Sequence, residues 1–302
     1  MKNLVCALAF FTALAAGNQT ARAATVFETA SAYHNIRVVD QDGHRTLCFD
    51  DTTQSRMLLR DPAQGHFEYT EYFQMPWLWN NRLTNVLMIG LGGASTQRTY
   101  ERLHRDVTVE SVEIDPVVLD VAERYFRLKQ SPRQKVHVED GRVFLRRSRA
   151  RYGAILVDAY LGSRYGNSIP YHLATKEFFV LAAGHLSTNG VLAYNVIGTL
   201  DGWQQDLVGS FYRTLKTVFP QVYFFPASGS MNVVIIATQS PGPTTATLLQ
   251  QRAVALLSRR AMPPGFMNRV AAFRAAPPAN AERCPLLTDD YAPVEGLARM
   301  KE

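Results

Sequence analysis

Cysteine is scarce in this chain. There are three in 302 residues, Cys6, Cys48 and Cys284, and none sits in a CxxC pair or beside histidines at ligand spacing. That excludes a structural zinc module. Long runs of one charge are also missing. Formal net charge is +6, but the lysines and arginines are spread along the chain, which argues against a nucleic-acid-binding tail. The densest basic cluster, Arg142 to Arg151, holds five arginines. It reads as a solvated helix face, with an anion-binding patch as the alternative. No apolar run is long enough for a comfortable transmembrane helix. Internal repeats and low-complexity tracts are absent. Charged residues make up 19% and hydrophobic residues 47%, so a sizeable core is expected and wholesale disorder is excluded.

What is present begins with a targeting pattern. Lys2 precedes the apolar stretch Leu4 to Ala16, and Ala21-Arg22-Ala23 has the small-x-small form of a cleavage site. Residues 1–23 are therefore expected to be an export signal, leaving a periplasmic or secreted protein with no membrane attachment. Cys6 would leave with the signal. Cys48 and Cys284 then permit one disulfide, or remain two buried thiols.

The chain is organised around Asn85 to Pro116. An apolar run, Val86 to Ile89, ends in Gly90-Leu91-Gly92-Gly93. A helix-forming segment follows, and then a second β-rich run, Val107 to Ile114, closing on Glu113 and Asp115. Strand, glycine turn, helix and strand with a terminal acid is how an α/β sheet holds a nucleoside. Gly90 and Gly92 admit a ligand close to the backbone. Glu113, 23 positions beyond Gly90, is placed to accept hydrogen bonds from ribose hydroxyls.

Ahead of this stretch, Asn35 to Val39 and Thr46 to Phe49 flank the turn Asp40-Gln41-Asp42-Gly43, which predicts a small β-hairpin unit. Phe67 to Trp79 is expected to form a helix packing that unit on the larger domain. Behind it, strands at Lys135–Val138, Ala154–Val157, Val191–Val196, Val222–Phe225 and Asn232–Ala237 alternate with helical segments, the last two as an antiparallel edge pair. The fold expected is a doubly wound, seven-stranded Rossmann-like α/β sheet. The expected organisation is signal 1–23, N-terminal β unit and linking helix 24–82, Rossmann-like domain 83–240, and C-terminal helix and tail 241–302.

Glu113, Asp140 and Asp158 each fall at the carboxyl end of a successive strand, where open α/β sheets bind ligands. Any one of them is as readily a helix cap. The three together, beside a glycine turn, favour a nucleoside site. The third position of a dinucleotide fingerprint is here Ser95, and Glu139-Asp140-Gly141 could meet an adenine amino group. That combination suits an S-adenosylmethionine-type site better than a dehydrogenase.

In order along the chain stand Gln54, Phe67-x-Tyr69-x-Glu71, Ile89-Gly90-Leu91-Gly92-Gly93, Val112-Glu113-Ile114-Asp115, Glu139-Asp140-Gly141, Leu156-Val157-Asp158 and the tail Leu287-Thr288-Asp289-Asp290-Tyr291. This set resembles the spermidine synthase family, the polyamine aminopropyltransferases. The resemblance implies the class I S-adenosylmethionine-dependent transferase fold. It implies transfer of an aminopropyl group from decarboxylated S-adenosylmethionine to a small polyamine-type amine, without a metal. Glu113 would hold the ribose, Asp140 the adenine amino group, and Gln54 would reach the nucleoside from the N-terminal unit. Tyr69 would line the amine channel. Asp158 would be the catalytic carboxylate, and residues 159–170 a lid. Subunits would pair as homodimers through the N-terminal unit, as in relatives.

Two departures stand out. Gly93 occupies the place of an acid that grips the donor's amino end, and Leu161 the place of a second lid acid. Asp289 and Asp290 are candidates to compensate, turn capping being the plainer alternative. The departures keep two other readings open: a methyltransferase using ordinary S-adenosylmethionine, and a non-catalytic exported binding protein of the same fold.

Overall fold

The computed structural model describes residues 23–163, 166–202 and 205–298. The expected export signal lies outside the described residues, except for Ala23.

The N-terminal unit is larger than a hairpin. Strands β1 (Ala24–Ala30), β2 (Asn35–Gln41), β3 (His44–Phe49) and β4 (Thr52–Leu58) form one antiparallel sheet in sequence order. The β2–β3 turn is Asp42-Gly43, with φ of 49° and 73°, the left-handed pair that a tight hairpin requires. Between β3 and β4 the register shifts. Leu47 pairs with Ser55 and Cys48 with Thr53, leaving Gln54 as the extra residue of a β-bulge.

The segment Glu68–Leu78 is a 3-10 helix. Pro76 in its interior removes an amide donor. Its buried aromatic side chains, Tyr72, Phe73 and Trp77, join a cluster on one face of the large sheet. The expected link to the small unit is therefore not the helix's main packing.

The large sheet has the order β12-β13-β11-β8-β5-β6-β7. These strands are β5 (Asn85–Ile89), β6 (Thr108–Glu113), β7 (Gln134–Val138), β8 (Tyr152–Val157), β11 (Leu186–Ile197), β12 (Gln221–Pro226) and β13 (Asn232–Thr238). Strand β13 runs antiparallel to both its neighbours, and the other pairings are parallel. The helices among the described residues include α1 (Ser95–Leu103), α2 (Pro116–Tyr125), α3 (Gly141–Arg147), α4 (Lys176–Gly184), α5 (Gln205–Lys216) and α6 (Ala246–Leu257). Along β5, Leu87 and Ile89 enter one core cluster while Val86 and Met88 enter the other. This is the period-two alternation of a strand covered on both faces. A third cluster joins the N-terminal sheet to α2. Strand order reverses between β5 and β8, so the crevice for a ligand opens where these two strands end.

Among the described residues the cysteines, Cys48 and Cys284, are free thiols. Cys48 is half-buried and Cys284 buried.

Candidate active site

The glycine turn after β5 abuts the end of β8. Gly90 has φ of +99°, and a Cβ there would stand 2.1 Å from the Asp158 carbonyl oxygen. Only glycine fits, and this contact fixes the spacing between the two halves of the crevice. Arg98, on α1, clamps the turn from behind by donating to the carbonyls of Gly93, Phe126 and Pro62. Burial lowers its pKa to about 10, and the guanidinium remains charged.

Glu113 closes β6 with both carboxylate oxygens on backbone donors. Leu91 N–H donates to Oε2 and Asp115 N–H to Oε1, each at 3.0 Å. Burial pushes its pKa up to about 7, against the pull of those amides. Asp158, just beyond β8, is held by Tyr69 OH on Oδ2 at 3.2 Å and by Asn195 Nδ2 on Oδ1 at 2.8 Å. Asn195 in turn accepts from Asn232 Nδ2 at 3.1 Å. Burial raises the Asp158 pKa to about 6. Tyr160 OH accepts from Ile197 N–H and donates to Asn195 O, both at 3.0 Å, tying the start of the lid segment to β11.

These groups line one cavity of about 270 Å³, together with Gln54, Gly90 and Gly92. The bulge explains how Thr53, Gln54 and Ser55 all reach it from consecutive positions. Gln54 Nε2 donates to Thr52 Oγ1 at 2.7 Å.

Not every expected residue is at this cavity. Asp140 caps α3, its Oδ1 accepting from the Arg142 and Val143 amides, while Oδ2 meets His172 Nε2 at 2.7 Å. Burial raises its pKa, but His172 and these amides outweigh burial and hold the carboxyl below its ordinary value. It stands outside the cavity wall. Asp289 is bound bidentately by Arg142, at 2.7 and 2.6 Å, and accepts from Thr175 Oγ1 at 2.7 Å. It fastens the tail to α3 and α4. Neither Asp289 nor Asp290 is among the residues lining this cavity.

The two departures have structural explanations. A Cβ on Gly93 would meet Ser55 Cβ at 2.7 Å and Phe126 at 2.9 Å. Ser55 Oγ instead accepts the Gly93 amide at 2.8 Å, so an acid at position 93 has no room. Leu161 begins a short hairpin, β9 (Leu161–Ser163) with β10 (Gly166–Ser168). It lines a neighbouring cavity with Tyr171 and Pro293, not the cavity that holds Asp158 and Glu113.

Sequence reasoning missed His34, Asp50 and Ser55. His34 lines the cavity, is 7% exposed, stacks on Phe49 at 4.2 Å and leaves Nδ1 unpartnered. Asp50 Oδ2 lies 3.7 Å from that nitrogen. Gly162 of the lid faces the pair, and a Cβ there would stand 2.6 Å from Asp50 Oδ2. An acid and a histidine 16 residues apart give no local signal; only the β2–β3 pairing brings them together.

The model of the spermine/spermidine synthase domain matches residues 66–231. The chain belongs to that family. The polyamine aminopropyltransferase of Vibrio vulnificus is 31% identical over 286 residues, covering 90% of this chain and 91% of the relative. That of Chromobacterium violaceum is 33% identical over 245 residues, covering 79% and 90%. A probable spermidine synthase from Corynebacterium glutamicum superposes with a TM-score of 0.68 at 15% identity, over 88% of this chain and 97% of that one. This last likeness speaks for the fold. Glu113, Asp158 and Tyr69, three of the residues expected from the sequence, line the cavity described above, and Asp140 does not.

Proposed function

We propose that this protein is an aminopropyltransferase, moving the aminopropyl group of decarboxylated S-adenosylmethionine onto a polyamine-type amine. The observation that carries this reading is the desolvated Asp158 carboxylate, braced by Tyr69 and Asn195 beside the glycine turn. Glu113 holds the ribose and Gln54 meets the nucleoside from the bulge. Asp140 offers the adenine amino group the side of its carboxylate now held by His172.

The amine nitrogen attacks the aminopropyl carbon next to the sulfonium, the carbon–sulfur bond breaks, and methylthioadenosine leaves. The attacking nitrogen loses one proton, which Asp158 takes. A carboxylate with a pKa near 6 is a better acceptor for that proton than an ordinary aspartate. Tyr69 OH and Asn195 fix its orientation, so the nucleophile is aimed as well as deprotonated.

Asp50 supplies part of the negative charge lost at Gly93 and Leu161. Its Oδ1 is spent on Asn35 N–H and Nδ2, while Oδ2 faces His34 at the cavity wall, where a distal ammonium of the acceptor can reach it. Asp50→Asn should raise the KM for putrescine about three- to tenfold and leave methylthioadenosine affinity unchanged. An unaltered KM removes Asp50 from the acceptor subsite.

Calorimetry with decarboxylated and ordinary S-adenosylmethionine tests the donor. The reading expects tighter binding of the decarboxylated form. Preference for the ordinary form would overturn it in favour of methyl transfer.

A further inference from the structure

The end of the sheet opposite the active site carries a second concave surface. It is a groove of about 530 Å³ between the end of the 3-10 helix, the loop leading into β5, Asn189 and the α6 region. Four arginines line it: Arg82, Arg252, Arg259 and Arg260. No carboxylate does so among the described residues.

The four are held differently. Arg252 donates to the Leu78 carbonyl at 3.4 Å. Arg260 is bound by both Asp106 carboxylate oxygens, at 2.8 and 2.6 Å, and lies 4.0 Å above the Trp77 ring. These two guanidiniums are pre-positioned. Arg82 and Arg259 are exposed, and among the described residues neither side chain has a partner. Arg252 stands on α6 and Arg259 just beyond its last residue, Leu257, and both line the groove. Four cations around one concavity repel each other, and the Asp106 carboxylate is already committed to Arg260. Such a site lowers its energy by taking an anion. Guanidinium forks match the oxygens of phosphate, which can engage several at once.

We propose that this groove binds a phosphate group or a short chain of phosphates, separately from the nucleoside cavity. The positive surface continues past the groove. His104 touches Arg260 at 3.4 Å and also lines an adjacent hollow with Arg102, Arg105, Arg127 and Arg133. That hollow includes Asp61 and Glu101, and Asp61 pairs with Arg102 at 3.2 Å, so it is the less positive of the two. The ligand's phosphates could belong to a soluble oligophosphate or to a lipid headgroup.

The test is calorimetry of the whole protein with sodium tripolyphosphate at low salt, comparing wild type with Arg82→Ala/Arg259→Ala. Those two side chains hold nothing else in place, so the variant should fold normally. The proposal expects one site, weakened about tenfold or more in the variant and by added salt, with methylthioadenosine affinity unmoved. Sedimentation with phosphatidylcholine vesicles containing about one fifth phosphatidylserine distinguishes the sources. Vesicle binding that tripolyphosphate competes away assigns a headgroup, and tripolyphosphate binding without vesicle binding assigns a soluble ligand. Absence of binding to both, or equal binding by the variant, overturns the proposal. So does a DNA duplex that binds more tightly than tripolyphosphate and is equally weakened in the variant, because the groove would then serve a nucleic acid.

Discussion

Asp158 is the residue on which chemistry and stability pull in opposite directions. Its folded pKa of about 6 lies above the ordinary 3.8, so the folded state binds this proton more tightly than the unfolded chain. Stability from this group is present at low pH and is lost as pH rises through about 4 to 6. Above that window the ionised, buried carboxylate weighs fully against folding. Asp158→Asn should therefore slow aminopropyl transfer by about 10²-fold or more and raise stability at pH 7.5 by about 1–3 kcal/mol. Denaturant unfolding and turnover measured on one preparation check both effects, and a variant that is slow but less stable contradicts the assignment. Glu113 gives a second pH dependence. With a pKa of about 7, it is a full acceptor for ribose hydroxyls only above that value. Methylthioadenosine affinity should fall as pH drops from 8 to 6, and a flat profile would remove Glu113 from the ribose. Both acids could be named from sequence because each closes a β-rich run that follows the glycine turn in the chain. His34 and Asp50 could not: they stand at the open end of the expected hairpin, and nothing local in the sequence shows that this end meets the cavity.

The glycine turn shows how elements set the site. Gly90→Ala places a methyl group 2.1 Å from the Asp158 carbonyl, at a backbone conformation that L residues rarely adopt. It should cost about 3 kcal/mol or more and abolish methylthioadenosine binding; unfolding curves and calorimetry read both, and a stable variant that binds normally would show that the crevice tolerates spreading. The large sheet was legible because β5, β8, β11 and β13 are buried apolar runs between turn residues. In the N-terminal unit, β1 and β4 escaped detection. ATVFETA and TTQSRML expose or half-expose most of their side chains and carry no strong alternation. The bulge at Gln54 further breaks the period-two pattern in β4, and it is the same irregularity that turns three consecutive residues toward the cavity. The segment 68–78 was legible as a helix from its composition. Its 3-10 geometry and its packing on the large sheet depend on Pro76 and on contacts with β13 and α6 that no local pattern encodes.

Across the whole molecule, charge is divided between the two ends of the sheet. Glu113, Asp140, Asp158 and Asp50 gather near the carboxyl ends of the strands, where a cationic donor and amine would meet. The arginine groove lies at the other end. Positions 93 and 161 carry no acid, and Ser55 occupies the space beside Gly93, so other residues of the chain must hold an amine. The central claim is that this site transfers an aminopropyl group and that Asp158 takes the proton. Mass spectrometry of the purified protein with decarboxylated S-adenosylmethionine and putrescine tests it most directly. Methylthioadenosine and an aminopropylated amine should appear in equal amounts, and both should be nearly lost in Asp158→Asn. Absence of both products from the wild-type protein, or undiminished yield from the variant, would contradict the account.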